Sequence, residues 1–217
     1  MRAVSKKEIV LKLSSVTLLG NLQVPENAQG LIIFAHGSGS SRLSPRNINV
    51  ADQLANQQFA TLLFDLLTET ENQDYYKRFD IELLTKRLIE VTLWTKTQDN
   101  INALPNAYFG ASTGAAAALN AAAQIPNEIW AVVSRGGRPD LATESFENIK
   151  APILLIVGGD DKDVLQLNRE VFNKLKGEKN LQIVPGAGHL FEEPGAMDQV
   201  IMLSIFWFKK YLSSNNK

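Results

Sequence analysis

Ser112 stands between two glycines, in Gly110-Ala111-Ser112-Thr113-Gly114. The apolar Ala107-Tyr108-Phe109 precedes this run, and the helix-forming Ala115-Ala116-Ala117-Ala118-Leu119 follows it. That order predicts a strand, a sharp turn and a helix, with the serine at the apex of the turn. Its hydroxyl then stands clear of the sheet beside a helix N-terminus, whose free N–H groups favour developing negative charge. The glycines let strand and helix close around a strained backbone. A serine hydroxyl becomes a nucleophile only with a base to take its proton and a carboxylate to orient that base. The chain has two histidines, His36 and His189, and His189 closes the late loop Pro185-Gly186-Ala187-Gly188-His189. Between Ser112 and His189, Gly158-Gly159-Asp160-Asp161-Lys162-Asp163 offers the acids. Nucleophile, acid and base thus follow one another as Ser, Asp, His.

Each of these residues has a plainer reading. Ser112 could simply cap a helix, a role serine fills well. His189 could be a loop histidine bonded to backbone, and His36 a brace that holds its own glycine-rich loop through its ring nitrogens. Asp160, Asp161 and Asp163 lie in one turn, and only one of them can face His189. A calcium loop does not fit, because the D-x-[DN]-x-[DN]-G spacing and the distal glutamate are missing. A dinucleotide fingerprint at His36–Ser41 fails where Arg42 replaces the third glycine, and a P-loop fails because no lysine follows Gly114. Four arginines fall in two loops expected at the same edge as the serine: Arg42 and Arg46, Arg135 and Arg138. They either solvate the surface or bind a carboxylate or phosphate bidentately.

The surrounding pattern predicts how these loops are carried. Ile9–Leu13 and Val16–Val24 alternate as an antiparallel hairpin would, and Leu31–Ala35 is a continuous apolar run of the kind a doubly covered strand shows. A helix over about 45–58, a strand at 59–65 and a helix from Asp80 to about 97 follow, the last with Ile81, Leu84, Leu88 and Val91 on one face. Strands at 107–109, 129–134, 153–157 and 181–184 then alternate with helices at 113–124, 165–176 and 197–211. This predicts an α/β domain with a mostly parallel sheet covered on both faces, whose ligands bind at the carboxyl ends of the strands. Segment 66–79 is expected either to cover that edge or to be a plain surface loop. The short stretch between strands 129–134 and 153–157 leaves no room for a bulky lid. Ile201, Ile205, Phe206 and Phe208 on the last helix are expected in the core, with an interface between chains as the alternative.

Composition narrows the classes further. With 217 residues, 45% of them hydrophobic and 21% charged, the chain suits one globular domain, 1–217. A net charge of −1 gives no electrostatic case for nucleic acid or an anionic membrane. Cysteine is absent, which removes thiolate nucleophiles and disulfides. No apolar signal core or spanning segment is evident, so a soluble, cytoplasmic protein is expected.

The chain resembles the α/β-hydrolases of the dienelactone-hydrolase-like family over nearly its whole length. The resemblance rests on His36-Gly37-Ser38-Gly39-Ser40-Ser41-Arg42, Ser44-Pro45-Arg46-Asn47, the Ser112 pentapeptide, Val157-Gly158-Gly159 and Gly188-His189-Leu190-Phe191-Glu192. It implies the α/β-hydrolase fold, with Ser112 as nucleophile, His189 as base, Asp161 as orienting acid, and the N–H groups of Ser38 and Thr113 as oxyanion hole. The best-known dienelactone hydrolases use cysteine as nucleophile. This chain has none, so a serine esterase acting on small-molecule esters is expected, without cofactor or metal. Arg42, Arg46, Arg135 and Arg138 are candidates for an anionic part of the substrate. A thioesterase with the same three residues, and a non-catalytic binding module on the same fold, are the competing classes. Oligomeric state is not legible.

Overall fold

The computed structural model describes residues 4–142 and 146–215. Eight strands form one sheet: β1 (Val4–Lys12), β2 (Thr17–Pro25), β3 (Gly30–Ala35), β4 (Phe59–Phe64), β5 (Asn106–Ala111), β6 (Ile129–Arg135), β7 (Ile153–Gly158) and β8 (Lys179–Val184). Their order across the sheet is β1-β2-β4-β3-β5-β6-β7-β8. β2 pairs antiparallel with both β1 and β4, and every later pairing is parallel. The expected hairpin is present, and its first strand starts earlier than the alternation alone suggested.

The six α-helices are α1 (Pro45–Asn56), α2 (Glu69–Gln73), α3 (Ile81–Thr95), α4 (Thr113–Gln124), α5 (Lys162–Lys174) and α6 (Ala196–Asn215). Because strand side chains alternate, neighbouring residues feed opposite cores. Ile33, Tyr108 and Val132 pack with Leu88 and Val91 of α3 and the alanines of α4. Ile32, Phe109 and Val133 pack with Val50 and Leu54 of α1 and Val200 and Phe208 of α6. Ala115 to Ala118 and Ala121 to Ala123 are buried, so α4 lies close to both sheet and α3. This is the α/β-hydrolase arrangement.

Local signals set the ends of the helices. Ser44, Thr68 and Asp80 accept N–H bonds from the first turns of α1, α2 and α3, and Thr68 with Glu71 completes a capping box. Segment 66–79 therefore holds structure of its own. Thr68, Glu69 and Asn72 join His36, Arg42 and Asp65 around a cleft of about 530 Å³, and Ser112 is not among its lining residues. On α6 the expectation holds only in part: Ile201 and Phe208 are buried, whereas Phe206 is 68% exposed. Two residues along a helix turn a side chain to the other face, and Phe206 stands with Met202 on the outer one. No helix among the described residues is long and apolar enough to cross a membrane.

Candidate active site

Ser112 is the residue from which α4 starts, and its hydroxyl makes no capping bond. Its backbone has φ +50° and ψ −121°, a conformation that costs a non-glycine residue of the order of 1–3 kcal/mol. Several contacts hold it there. The Ser112 N–H donates to Arg135 O at 3.3 Å, and the Arg138 N–H donates to Ser112 O at 3.0 Å. A Cβ on Gly110 would lie 2.6 Å from Ala115 Cα, and one on Gly114 would lie 2.1 Å from Ala35 O. Both glycines are thus required by close backbone approach rather than by their own dihedrals.

The acid and base loops are joined in the same way. Gly159 N–H donates to Val184 O at 2.8 Å, and Asp160 N–H donates to Ala187 O at 2.9 Å. A side chain at Gly158 would strike Ala187 O at 2.3 Å. This seam leaves Asp161, the residue before α5, facing His189, with Oδ2 2.7 Å from Nδ1. A carboxylate accepts hydrogen bonds and cannot donate them, so Nδ1 carries the proton of this bond, and in the neutral imidazole Nε2 keeps its lone pair. Asp161 also occupies an N-cap position without capping, because its carboxylate is turned to the histidine. Asp160 and Asp163, the alternatives in the same turn, are exposed.

The structure thus joins Asp161 to His189 and sets Ser112 at the elbow. It closes no hydrogen bond from Ser112 Oγ to His189 within 3.5 Å among the described residues. Gly136, next to the Arg135 carbonyl that holds the Ser112 N–H, lies against the base: a Cβ there would lie 3.7 Å from His189 Cε1. His189 is held from behind by a residue the sequence reading missed: Glu193 Oε1 accepts the Gly188 N–H at 3.0 Å.

The His36 loop lies against the serine, since a Cβ on Gly37 would come within 2.9 Å of Ser112 Cβ. His36 is buried, and both of its nitrogens are occupied. Nδ1 donates to Gly37 O at 2.9 Å, and Nε2 accepts from the Leu66 N–H at 3.1 Å. Burial pushes its pKa below the ordinary 6.5, against smaller opposing effects from Gly37 and Asp65. The Ser38 N–H does not point into empty space: it donates to Thr113 Oγ1 at 2.9 Å.

The four arginines divide into two kinds. Arg42 is held by Asp65 Oδ2 at 3.1 Å, Glu8 Oε2 at 3.0 Å and Asn21 Oδ1 at 2.9 Å, and Arg138 grips both oxygens of Asp140. Their guanidinium groups are spent on the protein's own carboxylates. Arg46, which pairs with the exposed Glu192 Oε1 at 2.7 Å, converges with the buried Arg135 elsewhere. Arg135 is only 7% exposed, and its NH2 reaches Asn47 Oδ1 at 3.3 Å. Burial, and then the charge of Arg46, push its pKa down to about 10, which still leaves it charged at neutral pH.

The sequence pattern of the dienelactone hydrolase family matches residues 18–204, which include all three loops of the site. The chain belongs to the dienelactone hydrolase family. A dienelactone hydrolase from Anabaena variabilis is 48% identical across 96% of this chain and 98% of that one, with a TM-score of 0.92. Est1E from Butyrivibrio proteoclasticus shares the fold at 15% identity and a TM-score of 0.80, over 95% of this chain and 99% of its own. Two Mycobacterium tuberculosis proteins, from strains CDC 1551 and H37Rv, are 53% identical over 206 residues, or 95% of this chain. Both carry the provisional name phosphoribosyl transferase. The match covers 46% of each, so the chain spans about half the length of the curated relatives it matches. Family and fold agree with the α/β-hydrolase expected from the motifs.

Proposed function

We propose that this protein is a serine hydrolase of small carboxylic esters, with Ser112 as nucleophile, His189 as general base and Asp161 as the acid that orients it. One observation carries most of the weight. Ser112 and Asp161 both sit at helix N-caps, and both withhold their side chains from the capping bonds that Ser44, Thr68 and Asp80 make. A missing cap costs about 1 kcal/mol, and at Asp161 the withheld carboxylate is the one bonded to His189.

In this reading Ser112 Oγ attacks the ester carbonyl while His189 Nε2 takes its proton. The oxyanion forms beside the Thr113 N–H at the start of α4. The Ser38 N–H turns to it from Thr113 Oγ1, each such donor being worth about 3–4 kcal/mol. The imidazolium, held by Asp161, then protonates the departing alkoxide, and water repeats the sequence on the acyl-enzyme. The Anabaena relative is named for a lactone, which is itself an ester. Here the nucleophile of that chemistry would be a serine. The name phosphoribosyl transferase belongs to proteins more than twice this length, and the matched residues carry the hydrolase family's pattern. We favour substrates with an anionic group beside the ester, with Arg46 and Arg135 rather than Arg42 and Arg138 as its partners.

Labelling with a fluorophosphonate probe, followed by peptide mapping, tests the assignment. One adduct on Ser112, absent from Ser112→Ala, is the expected result. A folded wild-type protein that stays unlabelled rejects it.

A further inference from the structure

The N-terminus of α1 collects positive charge that the serine chemistry does not use. Its first turn holds Pro45, Arg46 and Asn47 and no acidic residue. The Arg135 guanidinium comes to this turn from the end of β6, through Asn47 Oδ1. Arg135 has no carboxylate partner among the described residues, and its buried Nε has no hydrogen-bond partner at all. The Nε of Arg46 is likewise buried and unpartnered. Two guanidinium groups and a helix N-terminus therefore share one place, where each raises the cost of the others. A single carboxylate answers them: Glu192 Oε1, 2.7 Å from Arg46 NH1. That pair faces solvent, with Arg46 37% and Glu192 64% exposed at the side chain, so water screens it.

The place adjoins the reacting groups. Glu192 lies three residues beyond His189, and the carbonyl of Arg135 holds the N–H of Ser112. We propose that Arg46, Arg135 and the first turn of α1 form a phosphate subsite, in which a phosphate monoester on the substrate displaces Glu192. This rests on the esterase reading and names its substrate class. A carboxylate is the weaker candidate for a physical reason. Glu192 already supplies one, tethered at high local concentration, and an external carboxylate brings no more charge than the group it must displace. A phosphate monoester brings about −1.5 to −2 charges and three acceptor oxygens, enough to engage both guanidinium groups together.

Binding and turnover separate this proposal from the reading beneath it. Inorganic phosphate is titrated calorimetrically into the wild type, Glu192→Gln and Arg46→Met, and acetate into the wild type. Phosphate is expected to bind the wild type, at least fivefold tighter to Glu192→Gln and at least tenfold weaker to Arg46→Met, with acetate at least tenfold weaker than phosphate. Arg135→Met is read only beside its melting curve, because Arg135 is buried; Arg46→Met carries the conclusion. In the kinetic arm, matched acetate esters of a phosphorylated and an uncharged alcohol are compared. The ratio of their kcat/KM values is expected to exceed ten and to fall at least fivefold in Arg46→Met.

No phosphate binding to wild type and Glu192→Gln overturns the subsite, as does binding indifferent to both substitutions, or acetate equal to phosphate. Cleavage of both esters at equal rates removes the subsite while the hydrolase stands. The expected pattern of phosphate binding with no ester cleaved keeps the subsite and removes the hydrolase.

Discussion

His36 and His189 are the only histidines of the chain; His36 opens one glycine-containing loop and His189 closes another, both at the carboxyl edge of the parallel strands. Their surroundings differ in one respect. His36 gives one nitrogen to the carbonyl of Gly37 and the other to the amide of Leu66, so it has no lone pair left for chemistry. His189 gives Nδ1 to Asp161, and its side chain is 38% exposed. One imidazole ties the strand-end loops together, and the other, in the proposed reaction, would take the serine's proton. The partner of the second nitrogen makes the difference, and loop composition alone does not reveal it.

The comparison is most easily broken at the base. His189→Ala or Ser112→Ala is expected to lower kcat on a small ester by about 10⁴–10⁶-fold. His36→Gln should stay within about tenfold and still label at Ser112; abolished labelling in a folded His36 variant would give both histidines catalytic weight. Asp161→Asn should cost about 10⁴-fold, by presenting the wrong tautomer to the serine, while Asp163→Asn changes kcat less than about threefold. An equal loss at both positions would break the assignment of the acid.

Next in size is a stability effect confined to His36. Removing it leaves the buried Leu66 N–H unpaired, at about 1–3 kcal/mol. Its pKa is lower folded than unfolded, so below pH 6.5 the unfolded chain binds the extra proton first. The contribution is therefore complete above about pH 6.5 and is lost as pH falls towards the folded value. Urea midpoints between pH 5 and 8 should show this limb in the wild type and not in His36→Gln.

The smallest expected effect concerns the caps. Thr68→Ala should destabilise by about 1 kcal/mol, because its hydroxyl caps α2, whereas Ser112→Ala loses no cap and should stay within about 0.5 kcal/mol of the wild type. Matching denaturation curves for the two would contradict the view that Ser112 is withheld from its helix.

Strand and helix order was legible because most central strands are apolar runs and helices such as α3 carry a 3.6-residue stripe, whereas the five polar residues of α2 carry none. β3, α1 and α4 begin within a residue of where the pattern places them. The Ser112 elbow was legible for the same reason, since its glycines mark backbone approaches that any side chain would block. Partnership across the sheet was not. Spacing could not tell that Arg42 answers Glu8 of the first strand, or that Arg46 meets Glu192 from the far end of the chain. Residue types alone left Asp160, Asp161 and Asp163 open; the family resemblance pointed to Asp161, and the backbone seam between two loops is what turns it to His189. The Ser38 N–H was expected to wait free, but a hydroxyl at the next helix start lies within its reach.

Ser112 is only partly covered and His189 is more than one-third exposed, with the exposed Leu190 beside it. An acyl group carried on Ser112 would stand open to whatever nucleophile the solution offers. Water would win by concentration and not by exclusion of rivals. Added alcohols would then intercept the acyl-enzyme in proportion to their molarity, and that share of the acyl groups would pass to the alcohol instead of to water.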